Sequence, residues 1–193
     1  MIIVSDTTPL RYLIEIEAAE VLGQLFGEVI IPQAVADELQ HAKTPVLIKN
    51  WIQSPPAWLT VRQADLSLFT PQKHIGKGEQ EAIALALELK VAVVLMDDRG
   101  ATQEAERAGL FTLPTILLLE EAAKQELIDL PQVFARIRQT RFYAAPHLYE
   151  DALERDRQRR RVQRLGDRHH RARPRHPRAG AGRGVGRIGK MIG

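Results

Sequence analysis

Two aspartates stand side by side at positions 97 and 98, directly after the apolar run Val91–Met96. Adjacent like charges repel, and a desolvated strand end makes the repulsion worse. A fold tolerates such a pair where a cation is held, or where the strand simply ends in a solvated turn. Other acids share the setting. Asp6 follows the apolar IIVS at the N-terminus. Glu79 and Glu81 lie in GEQE, which opens a helical pattern leading into Val91–Met96. Glu38 lies in a helical segment after the apolar VII of residues 29–31. In the first turn of a helix Glu79 and Glu81 are also favoured by the helix dipole alone. Taken together, these acids offer only oxygen ligands, which suits Mg²⁺ or Mn²⁺. Carboxylates holding one or two such ions are built for phosphoryl chemistry.

Competing chemistries lack their residues. The chain has 193 residues and no cysteine, so a thiol nucleophile, a thiolate metal site and a disulfide framework are excluded. The six histidines are dispersed, with His41, His74 and His147 far apart and the other three near the C-terminus. There is no G-x-S-x-G elbow, and GKGE lacks the spacing of a phosphate-binding P-loop. Aromatics make up 5%, lean for recognition of bases by stacking. No apolar run reaches the roughly 18–20 residues of a membrane span, and MIIVSDTTPL is not patterned as a signal peptide. These features suit a cytoplasmic setting.

The acids need elements to position them. Ile2–Ser5, Glu28–Ile31, Leu59–Arg62, Val91–Met96 and Phe111–Leu113 read as strands. Helical patterns cover Leu10–Ile16, Gln33–His41, Val46–Gln53, Glu79–Leu89, Thr102–Ala108, Pro114–Lys124 and Leu130–Arg138. Short Val/Ile/Leu strands alternating with helices imply an α/β fold with a parallel sheet covered on both faces. Ligands of such sheets bind beyond the carboxyl ends of the strands, where Asp6 and Asp97–Asp98 fall.

The net charge of +3 hides a division. Residues 151–193 hold 14 Lys/Arg against 4 Asp/Glu, a balance of +10, and residues 1–150 hold 13 against 20, a balance of −7. The expected organisation is one globular domain over 1–155 and an Arg/Gly/Pro-rich tail over 156–193. The tail has little to bury and is expected to be disordered. A basic tail can bind nucleic acid without sequence preference, and its composition equally suits an incidental extension.

Four motifs then occur in order: SDTTPL, VIIPQAVADEL, GKGEQEAIALALEL and VVLMDDRGA. Together they resemble the PIN domain, and within it the VapC-like group whose first motif reads close to DTSPL. The resemblance covers roughly residues 1–150 and implies a three-layer α/β/α sandwich around a parallel sheet. It further implies an Mg²⁺- or Mn²⁺-dependent endoribonuclease that hydrolyses RNA phosphodiesters with a metal-activated water. Many members are toxins, neutralised by a small cognate antitoxin protein and often dimeric. Carried over by motif, Asp6, Glu38, Glu81 and Asp98 become the catalytic acids, with Asp6, Glu81 and Asp98 on the metal. Glu79 is the alternative to Glu81, and Asp97 the alternative to Asp98. Thr8 resembles a hydroxyl residue that orients a carboxylate or a water. Met96 departs from the Thr or Asn often found at that position, and the basic tail lies outside the pattern.

Arg11, Lys77 and Arg99 lie near the acidic motifs and could steer a phosphate; each also suits a solvated surface. The apolar Ile116–Leu119 suits either a dimer helix or core packing. A dehalogenase-type phosphotransferase wants D-x-D after its first strand, where this chain has Thr8. A receiver domain wants paired acids after that strand and a late lysine, neither of which is evident. The alternative function is a catalytically inactive PIN-like module that binds RNA or a protein.

Overall fold

The computed structural model describes residues 1–171, with side chains to Leu165. The five short apolar runs form strands: β1 Ile2–Ser5, β2 Glu28–Pro32, β3 Leu59–Arg62, β4 Val93–Leu95 and β5 Phe111–Leu113. All neighbours pair in parallel, in the order β3-β2-β1-β4-β5. Parallel neighbours need crossovers, and helices supply them. α1 Thr7–Glu15 and α2 Glu20–Phe26 lead to β2. α3 Gln33–Gln40 and α4 Val46–Gln53 lead to β3. α5 Lys77–Glu88 precedes β4, and α6 Arg99–Arg107 precedes β5. α7 Thr115–Lys124, α8 Leu130–Ile137 and α9 Pro146–Arg171 follow.

Successive side chains of a strand point to opposite faces, and here both faces are buried. Ile3, Val29, Ile31 and Leu95 pack on one side with α1–α4 and α7–α9. Val4, Ile30, Val94 and Met96 pack on the other with α5, α6 and Phe69. The result is the expected three-layer α/β/α architecture. Ile116, Leu118 and Leu119 are spent within this core, and Leu117 alone of that stretch points outward.

Several boundaries differ from the sequence pattern for local reasons. α1 begins at Thr7 rather than Leu10 because Asp6 caps it, accepting from the Thr8 N–H at 3.5 Å. Pro9 costs nothing in a first turn, where its missing donor has no partner anyway. β4 loses two residues to the end of α5: Lys90 has φ 54°, and the Val91 N–H bonds the Ala86 carbonyl at 2.9 Å. α2 was not anticipated, because Gly23 in its middle weakens the helical pattern. That glycine is a packing device. A Cβ there would meet Trp58 Cδ1 at 2.5 Å.

The first part of the stretch expected as a tail is helical. α9 continues to Arg171, while residues 172–193 lie outside the described residues. Up to Leu165 this stretch holds no glycine, and its only proline, Pro146, opens the helix; its Arg, Gln and Glu are good helix formers. Within it Arg157 and Gln158 reach back to Glu154 at 3.2 and 3.0 Å. Met1–Gln158 forms one compact unit, and a second begins at Arg159. In the first unit Arg155 grips the buried Glu120 of α7 with two hydrogen bonds of 2.8 and 2.7 Å. The pair holds the Glu120 carboxyl below its ordinary range. Among the described residues, no helix is long and apolar enough to cross a membrane.

Candidate active site

The chain turns from β1 towards β2 and β3 on one side, and towards β4 and β5 on the other. A crevice opens where the order reverses, beyond the carboxyl ends of β1 and β4. The Asp6 N–H donates to the Leu95 carbonyl at 3.0 Å, which ties these two ends together. Asp6 and Asp97–Asp98 therefore emerge beside one another. On the other flank, α5 crosses α3 so closely that a Cβ at Gly78 would lie 2.8 Å from Glu38 Oε1. This glycine lets the first turn of α5 and the acid of α3 share one cleft. The cleft has a volume of about 270 Å³ and is lined by Asp6, Thr7, Thr8, Arg11, Tyr12, Glu38, Gly76 and Glu79.

A family model described as PIN domain matches residues 2–158. The chain belongs to the PIN domain family. No curated protein and no solved structure matches it.

The acids of this PIN domain feel one another. Asp6 is 3% exposed, and burial pushes its carboxyl from 3.8 up to about 7, with repulsion from Glu79 and Glu38 adding to the rise. The backbone N–H groups of Thr7 and Thr8 oppose that rise. Glu79 is half-buried; burial raises its pKa, and repulsion from Asp98 and Glu38 raises it further. Asp6, Glu38, Glu79 and Asp98 thus form one electrostatically linked set. Each also has a local donor. Glu38 accepts from Thr7 Oγ1 at 2.5 Å, Glu79 from the Gly76 N–H at 2.6 Å, and Asp98 from the Ala101 N–H at 2.9 Å. Among the described residues, no three acids stand close enough as placed to ligate one ion. The donor set is nonetheless all carboxylate oxygen around a water-accessible cleft, which fits a hard divalent cation.

Glu81 is placed elsewhere. It is 8% exposed and accepts the Ala34 N–H at 2.9 Å, with Lys77 Nζ at 3.6 Å. It thereby satisfies a first-turn donor of α3, whose N-cap is Pro32 and has no side-chain cap. Of the two glutamates of GEQE, the structure brings Glu79, not the Glu81 favoured by motif matching, to Asp6. Sequence alone could not separate them, because they lie two residues apart near the start of one helix and the rotation of α5 depends on the contact of Gly78 with Glu38. Thr8 lies on the cleft wall. Tyr12 joins it one turn along, a position the sequence reading did not single out. Lys77 and Arg99 do not line it.

The neighbouring aspartates also part company. Asp98 caps α6 and is exposed, in electrostatic reach of Glu79. Asp97 turns to α7, accepting from the Thr115 N–H at 2.8 Å and Thr115 Oγ1 at 2.6 Å. Burial raises the Asp97 carboxyl, and the two Thr115 bonds partly offset this. Asp97→Ala is expected to lower the unfolding free energy by about 1–3 kcal/mol, since it strands two donors at the start of α7. Urea denaturation checks this, and an unchanged midpoint would remove the capping role.

Met96 is wholly buried in the second core cluster. It supplies packing to α5 and α6 and nothing to the cleft.

Proposed function

We propose that this PIN domain is a metal-dependent ribonuclease of the VapC-like kind, the toxin of a toxin–antitoxin pair. The observation that carries the reading is a buried aspartate, Asp6, whose carboxyl is repelled by two further acids of the same cleft and has no cationic side chain paired to it among the described residues. A fold does not gather uncompensated carboxylates cheaply, and a divalent cation resolves the repulsion.

Asp6, Glu79 and Asp98 would hold the ion, Mg²⁺ or Mn²⁺, with Glu79 taking the place that motif matching gave to Glu81. When bound, it supplies charge to a phosphodiester and makes water acidic enough to attack it. The chain does the rest. Asp6 is fixed at the N-cap of α1, so its direction is set by the helix. Thr7 fixes Glu38 at the rim, where that carboxylate can orient a water and take its proton. Thr8 presents its hydroxyl on the same wall. RNA is the substrate, and the acidic cleft suits a small antitoxin protein that fills it with a cationic side chain. A homodimer and a cytoplasmic setting complete the proposal.

The test is cleavage of a mixed RNA pool by the full chain. Cleavage is expected with Mn²⁺ or Mg²⁺ and none is expected in EDTA. No cleavage at any Mn²⁺ level would instead support the inactive RNA- or protein-binding module. Expression in a growing cell that causes no growth defect would count against the toxin role.

A further inference from the structure

One cation in the cleft is unaccounted for. Arg11 lies one turn after Thr7 on α1, so both present to the same wall, and it lines the cleft beside Asp6, Glu38 and Glu79. Three carboxylates of the cleft and Glu15, one helical turn further on, are available to it. It forms no ion pair with any of them among the described residues. Its guanidinium instead lies 5.8 Å from the centre of the Tyr12 ring. That ring is itself braced edge-on by Phe142 at 5.1 Å. The Arg11 Nε–H is fully buried without a hydrogen-bond partner, the sole such side-chain atom among the described residues. An orphaned buried donor is costly, and it marks a guanidinium that the fold leaves unsatisfied from within, with its terminal N–H groups on the cleft wall left to meet an acceptor. Arginine offers a planar fork of donors that matches the oxygens of a phosphate.

We propose that Arg11 is the phosphate-positioning residue of the cleft: it donates to a non-bridging oxygen of the RNA phosphodiester and holds that group against the acid set. The proposal rests on the nuclease reading above and deepens it. The Tyr12–Phe142 brace fixes the guanidinium away from the acids, so it does not neutralise the carboxylates that would hold the ion.

The test uses the full chain, Mn²⁺ and a dinucleoside monophosphate. Bound Mn²⁺ is paramagnetic and broadens the ³¹P signal only of a phosphate held beside it, so binding to basic residues elsewhere is silent. Wild type is expected to give saturable broadening. Arg11→Met should bind Mn²⁺ no more weakly, since a positive charge has left the neighbourhood, yet need at least about tenfold more dinucleotide for the same broadening. Arg11→Lys should fall between, because a point charge keeps attraction and loses the fork. Equal broadening for wild type and Arg11→Met overturns the role of Arg11 while leaving the nuclease reading intact. Failure of wild type to bind Mn²⁺ overturns both. Should Arg11→Met fold poorly, Arg11→Gln, which keeps a donor near Nε, carries the same comparison.

Discussion

Asp6→Asn is expected to reduce Mn²⁺-dependent RNA cleavage by about 1,000-fold or more, the equivalent of about 4 kcal/mol of transition-state stabilisation. The same variant should be more stable than wild type in EDTA at pH 8. The two effects have one cause. Asp6 is a buried carboxyl whose pKa stands at about 7 against 3.8 for an ordinary aspartate. Between those values the native state holds a proton that the unfolded chain has already lost. Stability of the metal-free protein therefore falls as pH rises from about 4 to about 7, by up to about 4 kcal/mol for this group. Below pH 4 the penalty is absent, and above pH 7 it is fully present. Asparagine cannot ionise and still accepts the Thr8 N–H, so the cap of α1 survives. Urea denaturation at pH 4 and pH 8 should show the variant equal to wild type at the lower pH and more stable at the higher. Asp97, also raised by burial, contributes to the wild-type slope but cancels in the difference, whereas Glu79, coupled to Asp6, cancels only in part. Added Mn²⁺ should reverse the ranking, since only wild type gains the binding free energy. A variant that cleaves like wild type would remove Asp6 from the chemistry.

The second large effect separates Glu79 from Glu81. Glu79→Gln is expected to weaken Mn²⁺ binding and to lower cleavage by about 100-fold or more. Its fold should hold, because an amide oxygen can still accept the Gly76 N–H. Glu81→Gln should cleave within a few-fold of wild type, since the amide oxygen still serves Ala34. Glu81→Ala leaves the Ala34 N–H at the start of α3 without its partner and should cost about 1–3 kcal/mol of stability, again with activity retained in the folded fraction. Calorimetric titration with Mn²⁺ beside cleavage rates decides the matter. Loss of metal binding in Glu81→Gln with none in Glu79→Gln would return the ion to Glu81.

That exchange shows where the sequence stops being legible. The sheet could be read in advance because Val/Ile/Leu runs of strand length leave few alternatives, and β1, β3 and β5 begin and end where their patterns do. Asp6 could be placed because a strand end fixes the position of the next residue to within one turn of chain. Glu79 and Glu81 could not be told apart, because two residues of helix rotation depend on a contact between α5 and α3. Arg11 was visible as a charge near an acid motif. Its orphaned donor is a property of tertiary packing against Tyr12 and Phe142. The helix of Arg157 to Leu165 was hidden for a different reason. Composition averaged over the tail blends that stretch with the Gly and Pro that begin only at Gly166.

The pairing that creates the cleft has a consequence for timing. β1 meets β2 through Val4 and Ile30, close in the chain, but meets β4 through Val4 and Val94, ninety residues away. Closing so long a loop is slow, and during synthesis it must wait until β4 has left the ribosome. Asp6 is made among the first residues, yet Asp98 can stand near it only after most of the domain exists. A chain released early, or stalled before β4, holds three of the four acids of the set and no crevice between β1 and β4. The order of the strands thus delays the assembly of the acid set until more than half of the chain has been made.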